Sequence, residues 1–263
     1  MFGFVPDFLA KVPDEALPGA WEEMKTLQMN PKTALPPKIK EMIGLAVAAQ
    51  IPCHYCTYAH TEFAKLFGAT DTERGEAVME AALTRHWSTW LQGKQTDMAS
   101  WRAEITGMLE YSKQMMSGKV APPAPMNVTD SATAMQDMKN GFGKVPSFIK
   151  GFPDASLSGA WKELRDVEMS ETTQLSGKHK SLIGLAVASQ IPCRFCIMAD
   201  IELAKMQGAS EAEINEAIAN GFGERGIGAS RTGQVIGRGA QGSDGDEGHA
   251  RTRDALRSSA APP

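Results

Sequence analysis

The chain has 263 residues, enough for one large domain or two of ordinary size, with 42% hydrophobic and 22% charged residues. A formal charge of −4 offers no basic field to nucleic acid or acidic lipid, and no apolar run reaches the roughly 20 residues that cross a bilayer. The opening MFGFVPDFLAKVPDE lacks a basic leader followed by a long apolar core, and all four cysteines fall in two CxxC pairs rather than a disulfide scaffold, so a cytoplasmic setting is expected.

In chain order, PPKIKEMIGLAVAAQ (36–50) opens with prolines and continues as an almost wholly apolar run, too long for a typical strand, which predicts a buried helix. Pro52 ends it, because proline disfavours helix in the residue before it. A second helix is predicted from Cys53 to Phe67, stopped by Gly68. TDTERGEAVMEAAL (70–83) restarts with a cap and an acidic first turn, and residues 97–118 form another amphipathic helix. No alternating strand pattern appears, so the fold class is all-α.

The chain then repeats itself. A shift of 140 residues, which carries Cys53 onto Cys193, aligns FVPDF (4–8) with KVPSF (144–148) and GAWEEM (19–24) with GAWKEL (159–164). The same shift aligns IGLAVAAQIPC (43–53) with IGLAVASQIPC (183–193). A repeat this long is a domain rather than a solenoid unit. The expected organisation is a first domain over 1–118, a proline-rich linker over 119–134, a second and incomplete domain over 135–223, and a tail over 224–263.

That tail is rich in glycine, arginine and serine, and disorder is expected for it. One codon spelling of Glu224–Ala229, read two bases later, yields Thr-Arg-His-Trp-Ser, the residues found at 84–88, so an out-of-frame origin is a further expectation.

Chemistry concentrates at IPCHYCTYAH (51–60). A free thiol with pKa near 8.5 is only a few per cent ionised at neutral pH and needs a helix N-terminus, a base or a cation to become reactive. Both thiols are placed in a first helical turn, where free N–H groups favour an anion. Cys53, Cys56 and His60, at spacings of three and four, share one helix face, which supplies a nucleophile, a resolving thiol and a base. The dipole argument favours Cys53 as nucleophile, whereas the histidine spacing favours Cys56. If the chain reverses at Ile51–Pro52, positions equidistant from the turn meet, which brings Glu41 opposite His60 to orient it. In the second half Cys193 and Cys196 persist, but Ser181 and Asp200 stand where Glu41 and His60 would be.

The stretch KIKEMIGLAVAAQIPCHYCTYAHTEFAKLFGATDTE resembles the carboxymuconolactone decarboxylase family, in particular its AhpD-like alkylhydroperoxidase branch. The glutamate, both cysteines and the histidine of that branch match Glu41, Cys53, Cys56 and His60; Tyr55 stands where the branch often has a histidine, with His54 before it. The resemblance implies two tandem all-helical domains of a kind that often forms trimers or hexamers, so a homo-oligomer is expected. It further implies reduction of alkyl hydroperoxides with Cys56 attacking, Cys53 resolving, and Glu41 and His60 relaying protons. The electron donor would be a lipoyl group or thioredoxin-like protein, with a peroxiredoxin as a further partner; no cofactor and no resident metal are implied. Cys193 and Cys196 are then either a secondary redox pair or structural. Alternatives are a four-thiolate zinc site made by both CxxC pairs, a non-catalytic assembly protein, and a family decarboxylase. His86 and Trp87 are expected either to line a pocket or to pack.

Overall fold

The computed structural model describes residues 12–221. The FVPDF segment, the expected tail over 224–263 and its out-of-frame reading lie outside the described residues. Within them every regular element is helical. In the first half these are α1 (Leu17–Glu23), continued by a π turn over Met24–Gln28, then α2 (Pro37–Gln50), α3 (His54–Leu66), α4 (Asp71–Gly93) and α5 (Met98–Met116). The second half has α6 (Ser131–Phe142), a 3₁₀ turn at Ser147–Ile149, α7 (Asp154–Val167), α8 (Gly177–Gln190), α9 (Arg194–Met206) and a last helical stretch, α10, over residues 211–221. No described helix is long and apolar enough to cross a membrane.

The helix ends follow local chemistry. Pro37 occupies the first position of α2, where its missing N–H costs nothing. Thr70 and Glu73 close a capping box at the start of α4. Gly68, at φ 81°, takes the left-handed turn that ends α3. One expectation falls short: the helix opening at 70 does not stop at Leu83 but runs to Gly93. No proline interrupts residues 84–93, so nothing in the chain breaks the ladder there.

At the centre lie α2 and α8, the two copies of the apolar run. Residues 39–48 of α2 are all buried, as are residues 180–188 of α8. A helix apolar on every side belongs inside. Ile39, Met42, Ile43 and Val47 of the first half share one cluster with Leu182, Ile183, Ala186 and Val187 of the second. The duplicated halves therefore build a common core.

Reciprocal polar clamps reinforce this sharing. Glu216 on α10 accepts hydrogen bonds from the N–H groups of Ala34 and Leu35 at 2.7 and 3.2 Å. Its counterpart at the 140-residue shift, Glu76 on α4, accepts from the N–H groups of Gln174 and Leu175 at 2.9 and 2.7 Å. Each half thus satisfies the backbone that leads into the other half's central helix. Lys40, fully buried, donates to the carbonyls of Leu27 and Asn30 and lies 3.2 Å from Glu216. Its counterpart Lys180 donates to the carbonyls of Val167 and Ser170 and to the Thr173 hydroxyl.

Glu76→Ala should cost about 1–3 kcal/mol by leaving two N–H groups unpaired. Glu216→Ala should cost about 3–5 kcal/mol, because it also strips a buried ammonium of its counter-ion. Urea denaturation of the two variants measures the difference; equal losses would show that the Lys40 pairing contributes nothing.

Candidate functional site

Cys53 caps α3, and its sulfur accepts a hydrogen bond from the Cys56 N–H at 3.3 Å. Cys53 and Cys56 are joined as a disulfide, and so are Cys193 and Cys196. Among the described residues no three His, Cys, Asp or Glu side chains gather in a way that holds a metal ion, so the two pairs do not converge into one four-thiolate group.

The turn at Ile51–Pro52 returns α3 along α2, and the two side chains equidistant from it meet. The Nδ1 atom of His60 lies 2.6 Å from Oε2 of Glu41, with both residues buried. A third member escaped the sequence reading. Gln28, on the π turn after α1, donates from Nε2 to Oε1 of Glu41 at 2.9 Å, so the carboxylate is gripped at both oxygens. This leaves Glu41 a fixed acceptor that selects which His60 nitrogen faces it.

Gly44 makes the pairing geometrically possible. It lies one turn after Glu41, and a methyl group placed on it would approach the His60 ring to 2.6 Å. The imidazole therefore lies directly against the backbone of α2. A glycine three residues from a prospective carboxylate, facing a histidine across a turn, is the sequence signal that points to this contact. Tyr55 and His54, between the two cysteines, are both exposed.

The second half keeps the frame and changes the groups. Gly184 faces Asp200, as Gly44 faces His60, with the nearest carboxylate oxygen 3.2 Å from a built methyl. Ser181 is fully buried and its hydroxyl has no hydrogen-bond partner. The acid missing from position 181 reappears elsewhere. Glu168 takes the place of Gln28, and Glu80 reaches in from α4 of the other half to hydrogen-bond with it. Burial, then the charge and hydrogen bond of Glu168, push the Glu80 carboxyl up to about 11. Burial, then Glu168, also hold Asp200 well above the ordinary aspartate range. His86 stacks on Trp87, and Trp87 lines a cavity on this side of the molecule.

Gly44→Ala should destabilise the protein by about 1–3 kcal/mol and push the imidazole off Glu41. Urea denaturation and the imidazole NMR signals of His60 check this. Gly184→Ala, which meets a carboxylate rather than a ring, should cost less. Unchanged His60 signals in Gly44→Ala would refute the contact.

No curated protein matches the chain. A solved structure assigned as a gamma-carboxymuconolactone decarboxylase subunit from Burkholderia xenovorans LB400 is similar in fold, with a TM-score of 0.56 and 18% identity over 90% of this chain and 92% of that one. The family model described as the carboxymuconolactone decarboxylase family matches twice, over residues 15–95 and 156–231, once in each half. By these two matches, which together span more than half its length, the chain belongs to the carboxymuconolactone decarboxylase family.

Proposed function

We propose that the chain is a thiol-dependent peroxidase or disulfide oxidoreductase of the AhpD-like branch, acting on alkyl hydroperoxides through Cys53 and Cys56. The observation that carries this is the buried Glu41–His60 pair, 2.6 Å apart on the two helices that flank the first CxxC. In the reduced enzyme, His60 takes the proton of the Cys56 thiol while Glu41 holds the ring and supports the imidazolium. The thiolate attacks the hydroperoxide, the O–O bond breaks, and the products are a sulfenic acid on Cys56 and an alcohol. Cys53 then displaces the sulfenic hydroxyl as water and forms the disulfide. The Cys53–Cys56 disulfide represents this oxidised end of the cycle. An external dithiol, such as a lipoyl group or thioredoxin-like protein, restores both thiols by exchange. With a disulfide-bearing partner, for example a peroxiredoxin, the same pair runs as a reductase.

A cytoplasmic setting suits this cycle, since that compartment keeps thiols reduced. Tyr55, Tyr58 and Leu66 on α3 are strongly exposed and lie on the helix that carries the pair. They provide apolar surface for partner docking or for assembly into a homo-oligomer. A decarboxylase reading finds support in the solved relative's description, but lactone decarboxylation leaves the paired thiols without a task.

Hydroperoxide consumption with a lipoamide or thioredoxin system tests the proposal. Cys56→Ser should abolish turnover, His60→Ala should slow it about 100-fold, and Glu41→Gln should slow it about tenfold. Wild-type rates in Cys56→Ser would overturn the reading.

A further inference from the structure

The second half is not merely a first half with its relay removed. Four positions related by the 140-residue shift have changed together: Gln28, Glu41, His60 and Asn220 correspond to Glu168, Ser181, Asp200 and Glu80. The result is a cluster of carboxyl groups drawn from both halves, set beside a second CxxC pair.

This cluster borders a cavity of about 1350 Å³, ample for a small organic molecule. Its walls include Trp87, Trp101 and Trp161, and Cys196, Asp200, Glu80 and Glu168 lie on the same lining. Cys193 is fully buried, so Cys196 is the sulfur offered to the cavity. Trp87 Nε1, Glu80 Oε1 and Asp200 Oδ2 are buried without hydrogen-bond partners. Polar atoms left unpaired on an apolar wall await a partner that enters with a ligand.

We propose that the second half is a separate thiol–disulfide exchange site, in which an apolar thiol enters the aromatic cavity, attacks Cys196, and Asp200 supplies the proton taken up when Cys196 is released. The proposal extends to the second pair the reading that these CxxC motifs are redox-active. In the first step a substrate thiolate bonds to the Cys196 sulfur and the Cys193–Cys196 bond breaks. Cys193 leaves as a thiolate at the N-cap of α9, where its sulfur accepts from the Cys196 N–H, and it then takes the proton that the substrate lost. A second substrate thiolate attacks the substrate sulfur of the mixed disulfide. Cys196 now leaves and takes its proton from the Asp200 carboxyl, four residues along the same helix. The proton of the second thiol returns to Asp200. Two substrate thiols are oxidised to a disulfide and the protein disulfide is reduced to two thiols.

The proton logic is opposite to that of the first half. His60 there can accept a proton, whereas burial and Glu168 push the Glu80 carboxyl up to about 11 and hold Asp200 well above the ordinary aspartate range, so both release their protons less readily than ordinary acids. Asp200 faces Glu168 and Glu80, and Lys180 on α8 only partly offsets the raised affinity of Glu80 for its proton. Such groups serve as acids to a leaving sulfur and not as bases to an attacking one.

The experiment uses the full chain with Cys53 and Cys56 both changed to serine, so that only the second pair reacts and the first-site reading stands or falls separately. The protein is exposed to benzyl mercaptan or to 2-mercaptoethanesulfonate at equal thiolate concentrations, and the thiols released are alkylated and counted by mass spectrometry. Benzyl mercaptan should open Cys193–Cys196 about tenfold faster, and the rate per thiolate at which Cys196 is then freed from the mixed disulfide should fall as rising pH ionises Asp200. Asp200→Asn should slow the release of Cys196 from the mixed disulfide about tenfold and flatten that profile. Glu80→Gln, which keeps shape but removes one acid, should displace the profile and serves as the test if Asp200→Asn does not fold. Equal rates for the two thiols, or an unmoved pH profile in the folded variants, would overturn the proposal.

Discussion

Burial of residues 39–48 of α2 and 180–188 of α8 is the constraint from which the rest of the structure follows. A helix buried on every side has no water to satisfy its polar side chains, so each must find a partner inside the protein or remain unionised. Lys40, Glu41, Lys180 and Ser181 all sit on these two helices, and all are buried. The lysines solve the problem locally, by donating to carbonyls of the segments that precede their helices. Glu41 solves it with Gln28 and His60. A carboxyl group held in this way is already aimed at an imidazole, so the structural requirement and the arrangement proposed for catalysis coincide at one residue.

The two halves meet that constraint with different chemistry. In the first, the Glu41 side chain holds the His60 imidazole in place by a hydrogen bond. In the second, the central helix offers a serine hydroxyl where α2 has Glu41, and the acids come from outside it: Glu168 from beyond α7, Asp200 from α9 and Glu80 from α4. Among three carboxyl groups and one nearby ammonium, Glu80 and Asp200 hold their protons more tightly than ordinary acids do. Comparing positions 41 and 60 with 181 and 200 alone suggests a loss. Including positions 28 and 168 turns the loss into a relocation of the acid.

Much of this was legible in the residues. The shift that carries Cys53 onto Cys193 exposes the duplication, and the apolar run at 36–50 announces a central helix. Counting outward from Ile51, ten residues back to Glu41 and nine on to His60, pairs the two, because antiparallel helices joined by a tight turn keep positions at similar distances from the turn together. Gln28 stayed hidden because it lies on an irregular π turn to which no periodicity applies. Glu80 stayed hidden for a different reason. Its spacing places it on a face of α4, but helical periodicity does not say which half that face will meet.

That crossing of α4 into the other half also explains how two sites can diverge on one scaffold. Glu76 and Glu80 are four residues apart on α4, and both act on the second half. Glu216 on α10, the counterpart of Glu76, acts on the first. Each half is therefore held in shape by groups that the other contributes, and the shared core of α2 and α8 ties them further. Under that arrangement the backbone at a CxxC pair does not depend on the polar residues around its sulfurs. Cys193 still caps α9 as Cys53 caps α3, with the same sulfur-to-amide contact, although the neighbouring imidazole has become a carboxyl group. A frame maintained from across the molecule leaves the site residues open to exchange, and proton acceptor and proton donor can then stand at equivalent places in one chain.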